Sequence, residues 1–443
     1  MSLDRRFAEA MGDLLGPEFP ARIGIAVSGG GDSMAMLYLA HNWARVWGVS
    51  LSVCTVDHGL RTESAAEAAM VAGECAALGW PHATLRWHWD GAGNKMDAAR
   101  RGRLELIGRW RGEIGHVLMA HTRDDVAETF LMRLARGSGV EGLSAMAARR
   151  QVGGAPGVPA DRAPERAEAG YEVLRPCLGM TRAELRHYLT VLKGRWVEDP
   201  SNDDPAYDRA RIRKALPLLA ELGLDVDTLS STAGRMARAR TALWRRALGV
   251  WDACGHEGRH GGFPTGEILF ERSGFQGAER DTQLRLLAAA LCYIPGAGYR
   301  PRTGPLEALL DRLLGGGGGT LHGCEARMER DCLRVFREYK AVAGLVVPQG
   351  AGLLWDRRWR MGDPDRHAGA RAEIRALGED GWAQLPDRPE GGLPYHAARS
   401  LPALWQGPKL LACDAMGMAS DTGTQLWPMG RAAHSFKAFL MSH

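Results

Sequence analysis

Ser28-Gly29-Gly30-Gly31-Asp32-Ser33 is the stretch that indicates the fold class. It follows the apolar run Ile23-Gly24-Ile25-Ala26-Val27 and precedes a helical pattern, so a strand, a glycine loop and a helix occur in that order. Consecutive glycines let backbone N–H groups approach an anion, and the N-terminus of a helix adds positive partial charge. We therefore expect Gly29, Gly30 and Gly31 to bind the phosphates of a nucleotide. Ser28 and Ser33 would add hydroxyl donors, and Asp32 would bind Mg²⁺ between the phosphates.

The loop also indicates which phosphorus of the nucleotide reacts. It lacks the Gly-Lys-Ser/Thr ending that places a lysine on the terminal phosphates in kinases and GTPases. A loop that holds pyrophosphate as a departing group suits attack at the α-phosphorus of ATP. The expected chemistry is therefore adenylation of a substrate.

The chain around the loop alternates strand-like and helical patterns. We predict strands at 22–27, 51–56, 82–88 and 116–120, and helices at 34–47, 63–78, 98–111 and 123–134. This order predicts an α/β fold with a doubly wound, mostly parallel, Rossmann-like sheet, whose ligands lie beyond the carboxyl ends of the strands. Asp57 and His58 follow the second predicted strand, so we expect them to contact the sugar or base of ATP. The alternatives are a helix cap for Asp57 and an exposed turn position for His58.

A second polar segment follows the fourth predicted strand. At about 100° per residue, His121, Asp125 and Glu128 fall on one face of a helix, and apolar residues on the opposite face would pack on the sheet. Like charges at this spacing repel unless a cation joins them. The cation between the two carboxylates would be Mg²⁺ or the ammonium group of a substrate. The alternative to a binding site is that this face of the helix is simply exposed to solvent. Arg136 and the glycines after it form a candidate anion site at the end of this helix.

Composition narrows the class of protein. The 443 residues are 45% hydrophobic and 24% charged, as in globular proteins, and no apolar run suggests a membrane span or a secretory signal. The eight cysteines contain no Cys-x-x-Cys pair, which argues against a zinc ribbon, an iron–sulfur site or a dense disulfide framework. We expect a reduced, cytoplasmic protein. The net charge is only +4, yet all but six of the 56 basic residues are arginine, which suits phosphate contacts or reflects genome composition.

The rest of the chain suggests further domains. We predict a short hairpin between 149–152 and 171–174, with a loop between its strands, and a helix capped by Thr181 and Glu184. Residues 216–292 have a helical pattern, the glycines at 315–319 suggest a loop, and short alternating pieces follow. The predicted domains are therefore 1–219 for adenylation, 220–314 as a helical domain, and 315–443 as a small mixed α/β domain.

These motifs together resemble the tRNA(Ile)-lysidine synthetases of the PP-loop N-type ATP pyrophosphatase superfamily. The glycine loop, Val56-Asp57-His58-Gly59-Leu60-Arg61, the segment from His121 to Thr129 and the run from Arg136 to Leu143 occur in that family's order. So does the segment from Trp196 to Asn202, whose Asp-Pro-Ser-Asn sequence separates the family from its relatives. The resemblance is strong over residues 20 to 220 and faint beyond.

The resemblance implies an activity and a set of partners. The family uses ATP to join L-lysine to the wobble cytidine in the CAU anticodon of tRNA(Ile), through an adenylated base. By resemblance, Asp125 and Glu128 would orient the lysine ammonium group or a metal ion, and His121 could accept its proton. Arg136, Arg209, Arg211 and Arg213 would contact tRNA. The alternative for the last three is pairing with the nearby acids Glu198, Asp203 and Asp204.

Other functions remain open from the sequence alone. A related adenylating enzyme, such as a tRNA thiolation enzyme or an amide ligase, would use the same loop. A non-catalytic RNA-binding protein could retain the fold without the reaction. We expect residues beyond about 220 to bind tRNA, because arginines recur there; the alternative is that those arginines are solvent-exposed charges that keep the domain soluble. No membrane association is expected, and a homodimer is possible.

Overall fold

The fold was analysed in a computed structural model of the chain. It describes residues 1–59, 64–89, 91, 95–153, 170–198, 208–348, 355–361, 372–385, 393–418, 426–428 and 435–441. The described residues form two compact units, the first comprising 1–153 and 170–240 and the second beginning at Thr241. The three predicted domains, with boundaries after 219 and 314, stay a prediction. Among the described residues, no helix combines the length and apolarity that crossing a membrane requires.

The first unit is built on a six-stranded sheet with helices between its strands. The strand order is β3-β2-β1-β4-β6-β5, and every neighbouring pair is parallel except β5 with β6. Its elements are α1 (Leu3–Leu15), β1 (Arg22–Ala26), α2 (Gly31–Trp47), β2 (Ser50–Asp57), α3 (Ser64–Leu78), β3 (His82–Arg86), α4 (Lys95–Trp110), β4 (His116–Met119), α5 (Arg123–Leu134), α6 (Val140–Leu143), β5 (Arg149–Val152), β6 (Tyr171–Leu174), α7 (Arg182–Leu192), α8 (Asp208–Glu221) and α9 (Val226–Cys254), which continues past residue 240.

The predicted α/β class, the hairpin and the capped helix are all confirmed. Residues 149–152 pair antiparallel with 171–174, in the predicted positions. The side chain of Thr181 accepts from the backbone N–H of Glu184, and the Glu184 carboxylate accepts from the N–H of Thr181, which closes the capping box at the start of α7. The predicted loop between the hairpin strands lies, for residues 154–169, outside the described residues.

Strand order places the loop and the acidic helix at one edge of the sheet. β1 lies between β2 and β4, where the order of the chain through the sheet reverses. Ala26 pairs with Met119 in parallel register, so the loop from Ser28 and the segment from His121 leave adjacent strands at the same level. Ligands of open α/β sheets bind at such a reversal. The core beneath includes Ile23 and Ile25, both fully buried.

The second unit contains antiparallel sheets. In its described residues a five-stranded sheet has the order β7-β8-β11-β10-β9, a four-stranded sheet the order β12-β14-β15-β16, and β13 pairs with β17. Its elements are β7 (Gly255–His260), β8 (Phe263–Glu271), α10 (Arg272–Gln276), α11 (Arg280–Tyr293), α12 (Thr303–Leu314), β9 (Gly318–Leu321), β10 (Cys324–Met328), β11 (Cys332–Arg337), α13 (Tyr339–Val342), β12 (Val347–Pro348), β13 (Trp359–Met361), β14 (Glu373–Ala376), α14 (Gly378–Ala383), α15 (Tyr395–Ala398), β15 (Pro402–Gln406), β16 (Lys409–Ala412), β17 (Leu426–Pro428) and α16 (Phe436–Met441).

Two local expectations are wrong in this unit. The predicted helical stretch 216–292 is interrupted by β7 and β8, because burial of Ile268 and Phe270 against the core outweighs the helical pattern there. The glycines at 315–319 are not all loop, since β9 begins at Gly318. A Cβ at Gly318 would lie 2.8 Å from the carbonyl oxygen of Ala326, so glycine permits close strand pairing there.

Candidate functional site

The glycine loop is held in place by its own serines and by a distant segment. The Ser33 hydroxyl donates to the carbonyl of Gly30 at 2.9 Å and accepts from the backbone N–H of Ser28 at 3.1 Å. Gly29 has φ +86°, which a side chain would disfavour, and its carbonyl accepts from the N–H of Val197 at 2.9 Å. The loop conformation is therefore held by hydrogen bonds within the protein.

The N-terminus of α2 is not capped by a side chain. Helix α2 begins at Gly31, and its N-cap, Gly30, makes no side-chain hydrogen bond to the helix. Among the described residues, a Cβ built at Gly30 would meet only the Ser28 hydroxyl within 4 Å, at 3.7 Å. Uncapped N–H groups at a helix N-terminus attract anions. The loop can thus accept a phosphate, as the sequence predicts, and the individual contacts of residues 28–33 with ATP stay a prediction.

Arg182 joins the loop to the acidic helix. Its Nε donates to Asp32 Oδ2 at 3.2 Å and its Nη1 to Glu128 Oε1 at 3.0 Å, while its Nη2 lies 3.7 Å from Asp125 Oδ1. Burial favours neutral arginine, but Glu128, Asp32 and Asp125 outweigh it and raise the pKa of Arg182. No sequence motif pointed to Arg182, because an arginine in the first turn of a helix is common.

Two arginines of α8 complete a balanced cluster of charges. Arg213 Nε donates to Glu128 Oε1 at 2.7 Å, and Arg209 Nη1 lies 3.7 Å from Asp125 Oδ1. Asp32, Asp125 and Glu128 therefore face the guanidinium groups of Arg182, Arg209 and Arg213. We name these six residues the charge cluster. It explains how Glu128 is fully buried.

The carboxyl groups of the charge cluster differ in their environments. Burial raises the pKa of Asp32 in spite of Arg182, and its Oδ1 is buried with no hydrogen-bond partner among the described residues. Burial acts in the same sense on Asp125, but the backbone N–H of Thr122 and then Arg182 and Arg209 outweigh it and lower the pKa of Asp125. Asp125 is therefore a stable carboxylate at neutral pH, while Asp32 has an oxygen available for a cation.

Asp32 fits a Mg²⁺ site completed by a ligand. The described residues contain no group of three or more His, Cys, Asp or Glu side chains that could hold a metal ion by themselves. Mg²⁺ is usually bound by one or two carboxylates together with phosphate oxygens and water. The free Oδ1 of Asp32, next to a phosphate-binding loop, is consistent with that arrangement.

His121 and His58 lie on the same sheet edge but outside the charge cluster. Nδ1 of His121 accepts from Arg175 Nε at 3.2 Å, and burial, the largest cause, lowers the pKa of His121 to about 4. His58 packs edge-on against Trp87, and its buried Nδ1 has no partner among the described residues. Asp57 Oδ1 accepts from the N–H of Gly59 at 2.8 Å, so it stabilises its own turn. Roles for Asp57 and His58 in binding ATP stay predictions.

The other two arginines predicted to contact tRNA, Arg136 and Arg211, share one acidic partner. Arg136 and Arg211 both form ion pairs with Asp208, the former at 2.9 Å, and both are exposed. The three arginines of α8 therefore lie on two faces of the helix. Arg209 and Arg213 are four residues apart on one face, and Arg211 is on another. Of the acids that the sequence offered as partners, Glu198 pairs with Arg186 at 2.7 Å. Residues 199–207, including Asp199 to Asn202, lie outside the described residues, as do Leu60 and Arg61.

The apolar face of α5 packs differently from the expectation. Val126, Ala127 and Phe130 form a buried cluster with Leu229 and Ala233 of α9, and no residue of a strand belongs to it. The prediction that this face packs on the sheet is therefore wrong. A following helix, which the sequence pattern could not position, covers it instead.

The cysteines are poorly suited to act as reactive thiols. All eight lie in described residues and are free, and all but Cys332 are buried. Burial raises the pKa of Cys54, Cys75 and Cys413 to about 12, so they are not thiolates at neutral pH.

Comparison with known proteins places the chain in a family. A family model described as a PP-loop domain matches residues 3–219. The tRNA(Ile)-lysidine synthase of Ruegeria pomeroyi is 41% identical over 428 residues, which cover 96% of this chain and 95% of the relative. The chain belongs to the tRNA(Ile)-lysidine synthase family. This confirms the resemblance, and the chain is accordingly an enzyme, a PP-loop ligase that uses ATP.

Other tRNA(Ile)-lysidine synthases match shorter parts of the chain. That of a Bradyrhizobium species is 40% identical over 300 residues, covering 65% of this chain and 78% of the relative. That of Hyphomonas neptunium is 37% identical over 339 residues, covering 74% of this chain and 85% of the relative. Family membership thus rests on similarity that extends beyond the PP-loop domain.

Proposed function

We propose that this enzyme joins L-lysine to C2 of the wobble cytidine in the CAU anticodon of tRNA(Ile), using ATP and Mg²⁺ and releasing AMP and pyrophosphate. The observation that supports this best is the contact of Arg182 with both Asp32 of the glycine loop and Asp125 and Glu128 of α5. A phosphate-binding loop and an acidic, ammonium-attracting face thereby belong to one site.

The first step activates the base. The carbonyl oxygen of cytosine is a poor leaving group, so it attacks the α-phosphorus of ATP and the P–O bond to pyrophosphate breaks. Residues 28–33 hold the phosphates through the N–H groups at the start of α2. Bound Mg²⁺ would neutralise phosphate oxygens, with Asp32 Oδ1 as its protein ligand.

The second step brings in lysine. The free ε-amine attacks C2 of the adenylated base, a C–N bond forms, the C–O bond to AMP breaks, and the amine loses its proton. Asp125, held ionised by the N–H of Thr122 and by arginines, and the buried Glu128 attract the ammonium group beforehand. Lysine must displace or join arginines of the charge cluster, because they already neutralise both acids.

Substrate RNA would be bound mainly by arginines outside the charge cluster. Arg136 and Arg211 are exposed beside the site, and Arg235 and Arg238 are exposed on α9. Phosphate contacts of this kind position an RNA without reading its sequence. Arg209 and Arg213 are also proposed to reach tRNA, once their carboxylate partners engage lysine. A cytoplasmic location and a homodimer belong to the same proposal.

Nucleoside mass spectrometry tests the proposal. A tRNA(Ile) transcript with the CAU anticodon is incubated with the enzyme, ATP, Mg²⁺ and isotope-labelled lysine, then digested. We expect one cytidine per tRNA to gain the mass of labelled lysine less water, and no gain when the wobble base is guanosine. Unchanged cytidine, with pyrophosphate release confirmed to be absent, would contradict the proposal.

A further inference from the structure

The contact between Arg175 and His121 determines which ring nitrogen of the histidine holds the proton. Arg175 Nε–H donates to Nδ1 of His121 across 3.2 Å. A guanidinium group has donors and no acceptor, so Nδ1 must be the acceptor of this bond. The neutral ring therefore has its proton on Nε2, and Nε2–H is a hydrogen-bond donor.

Arg175 is fixed strongly enough to impose this state. It is buried at the end of β6, its Nη1 donates to the carbonyl of Ala147 at 2.5 Å, and its backbone N–H donates to the carbonyl of Ala148 at 2.9 Å. Burial, together with nearby arginines, lowers the pKa of Arg175 to about 10, so it remains a cation at neutral pH.

Burial and nearby arginines together disfavour protonation of His121. Asp125, one turn along α5, favours the imidazolium ion, whereas Arg175, Arg103 of α4 and Arg209 of α8 disfavour it. Burial acts in the same sense as the arginines and is the largest influence. His121, with its pKa lowered to about 4, is therefore neutral at pH 7.

We propose that His121 acts as a neutral hydrogen-bond donor, through Nε2–H, to an oxygen of the reacting phosphoryl group, and that Arg175 is the positioning residue that holds it in this state. The identity of the acceptor rests on the proposed function, whereas the tautomer does not. A ring nitrogen that already has a proton cannot accept one from the lysine amine. The base role that the sequence suggested for His121 is thus replaced by a donor role.

Nitrogen NMR of the full-length enzyme tests the tautomer directly. Protein labelled with ¹⁵N-histidine has 14 histidines, and the signals of His121 are those missing from His121→Gln. Between pH 5.5 and 8 we expect His121 to show a protonated Nε2, an unprotonated Nδ1 and no titration. A proton on Nδ1, or a midpoint near 6.5, would overturn the proposal. This result does not depend on any enzymatic activity.

Substitution of Arg175 tests its positioning role. In Arg175→Met we expect mixed tautomers of His121 and a pKa that rises toward the ordinary value, whereas Arg175→Lys, which keeps a cationic donor, should retain most of the Nε2–H form. Arg149→Met is the matched control, since Arg149 lies in the same hairpin and pairs with Glu172. Signals of His121 in Arg175→Met that match the wild type would refute the positioning role.

The catalytic role is tested by comparing two substitutions of His121. Glutamine can donate a hydrogen bond from near the position of Nε2 but is no base at neutral pH, and alanine does neither. We expect the rate of pyrophosphate release to fall roughly 10²–10³-fold in His121→Ala, as when other enzymes lose a hydrogen-bond donor to a developing negative charge. The rate in His121→Gln should be at least tenfold higher than in His121→Ala. Equal losses in both would contradict a donor role. If the wild type modified no tRNA, the proposed function would fail while the NMR result would stand.

Discussion

At the scale of the residue, the guanidinium group of Arg182 is shared by Asp32, Asp125 and Glu128, which come from two different elements. The guanidinium group stabilises each carboxylate, and it also occupies the side of each carboxylate from which another cation could bind. Arg182 thus both assembles the site and competes with its ligands.

We expect Arg182→Met to unfold more easily than the wild type. Removing the shared cation leaves buried carboxylates undercompensated, which costs at most about 3–5 kcal/mol in the free energy of unfolding at pH 7. Burial already raises the pKa of Asp32, and carboxylates become neutral as the pH falls, so the deficit should shrink toward pH 4. Urea unfolding at several pH values measures it. Arg186→Met, which breaks an exposed pair with Glu198, should cost under about 1 kcal/mol, and a deficit that grew at low pH would refute the explanation.

We expect Asp32→Asn to abolish pyrophosphate release while leaving the melting temperature nearly unchanged. Asparagine has nearly the same shape but cannot supply the negative charge that Mg²⁺ requires. The stability should change little because two effects offset each other. The substitution removes a carboxylate whose ionised form burial disfavours, and it also removes one of the three carboxylate partners of Arg182. A variant that retained wild-type turnover at saturating Mg²⁺ would show that Asp32 binds no metal.

We expect Asp125→Asn to weaken lysine use more than adenylation. The amide oxygen of asparagine can still accept from the N–H of Thr122, which Asp125 Oδ2 accepts at 2.9 Å, so the helix start should survive. The apparent KM for lysine should rise at least tenfold while pyrophosphate release falls less. Glu128→Gln is the harsher comparison, since it deprives Arg182 and Arg213 of a buried carboxylate. Equal loss in both half-reactions of Asp125→Asn would indicate a structural role instead.

At the scale of the element, α5 depends on its first turn. Thr122 is fully buried, its hydroxyl accepts from the N–H of Asp125, and its own N–H and hydroxyl both donate to the Asp125 carboxylate. The same three bonds that begin the helix therefore orient a carboxylate of the charge cluster. Helix formation and site geometry are coupled through one capping box.

We expect Thr122→Ala to lower both stability and lysine binding. Loss of an N-cap hydroxyl costs about 1 kcal/mol in the free energy of unfolding, and Asp125 loses one donor, which raises its pKa. Thr122→Ser keeps the hydroxyl and should restore both properties. Thermal unfolding and the KM for lysine are the measurements, and a Thr122→Ala variant with an unchanged KM would separate the cap from the site.

Local elements were predictable where sequence periodicity and capping agree. The start and end of α5, the hairpin of β5 and β6 and the capping box of α7 matched the sequence because each depends on neighbours along the chain. The position of Arg182 was not predictable, because its partners lie 54 to 150 residues away. Nor were β7 and β8, whose strand conformation is imposed by packing against distant residues.

At the scale of the whole molecule, we propose that the PP-loop site and the exposed arginines of α9 contact different parts of the tRNA. Helix α9 covers the apolar face of α5 with Leu229 and Ala233 and also exposes Arg235 and Arg238. A fragment ending near residue 220 would therefore disturb the site itself. Point substitutions on α9 are the cleaner test of RNA binding.

We expect the double variant Arg235→Gln, Arg238→Gln to bind tRNA more weakly without losing ATP binding. Each lost phosphate contact should reduce the slope of log affinity against log salt concentration by about 0.7–0.9. Arg5→Gln, which removes an exposed arginine of α1, is the matched control. An unchanged salt dependence in the double variant would show that these arginines are merely solvent-exposed charges.

We propose that the oxygen of the base, and not the carboxylate of lysine, is activated at the α-phosphorus of ATP. The most direct test is the fate of ¹⁸O placed at the C2 carbonyl of the wobble cytidine in tRNA(Ile), followed by mass spectrometry of the AMP produced. We expect AMP to gain one ¹⁸O for each lysine joined, because the C–O bond breaks when the amine attacks. Unlabelled AMP, with ¹⁸O retained in the base or lost to water, would contradict it.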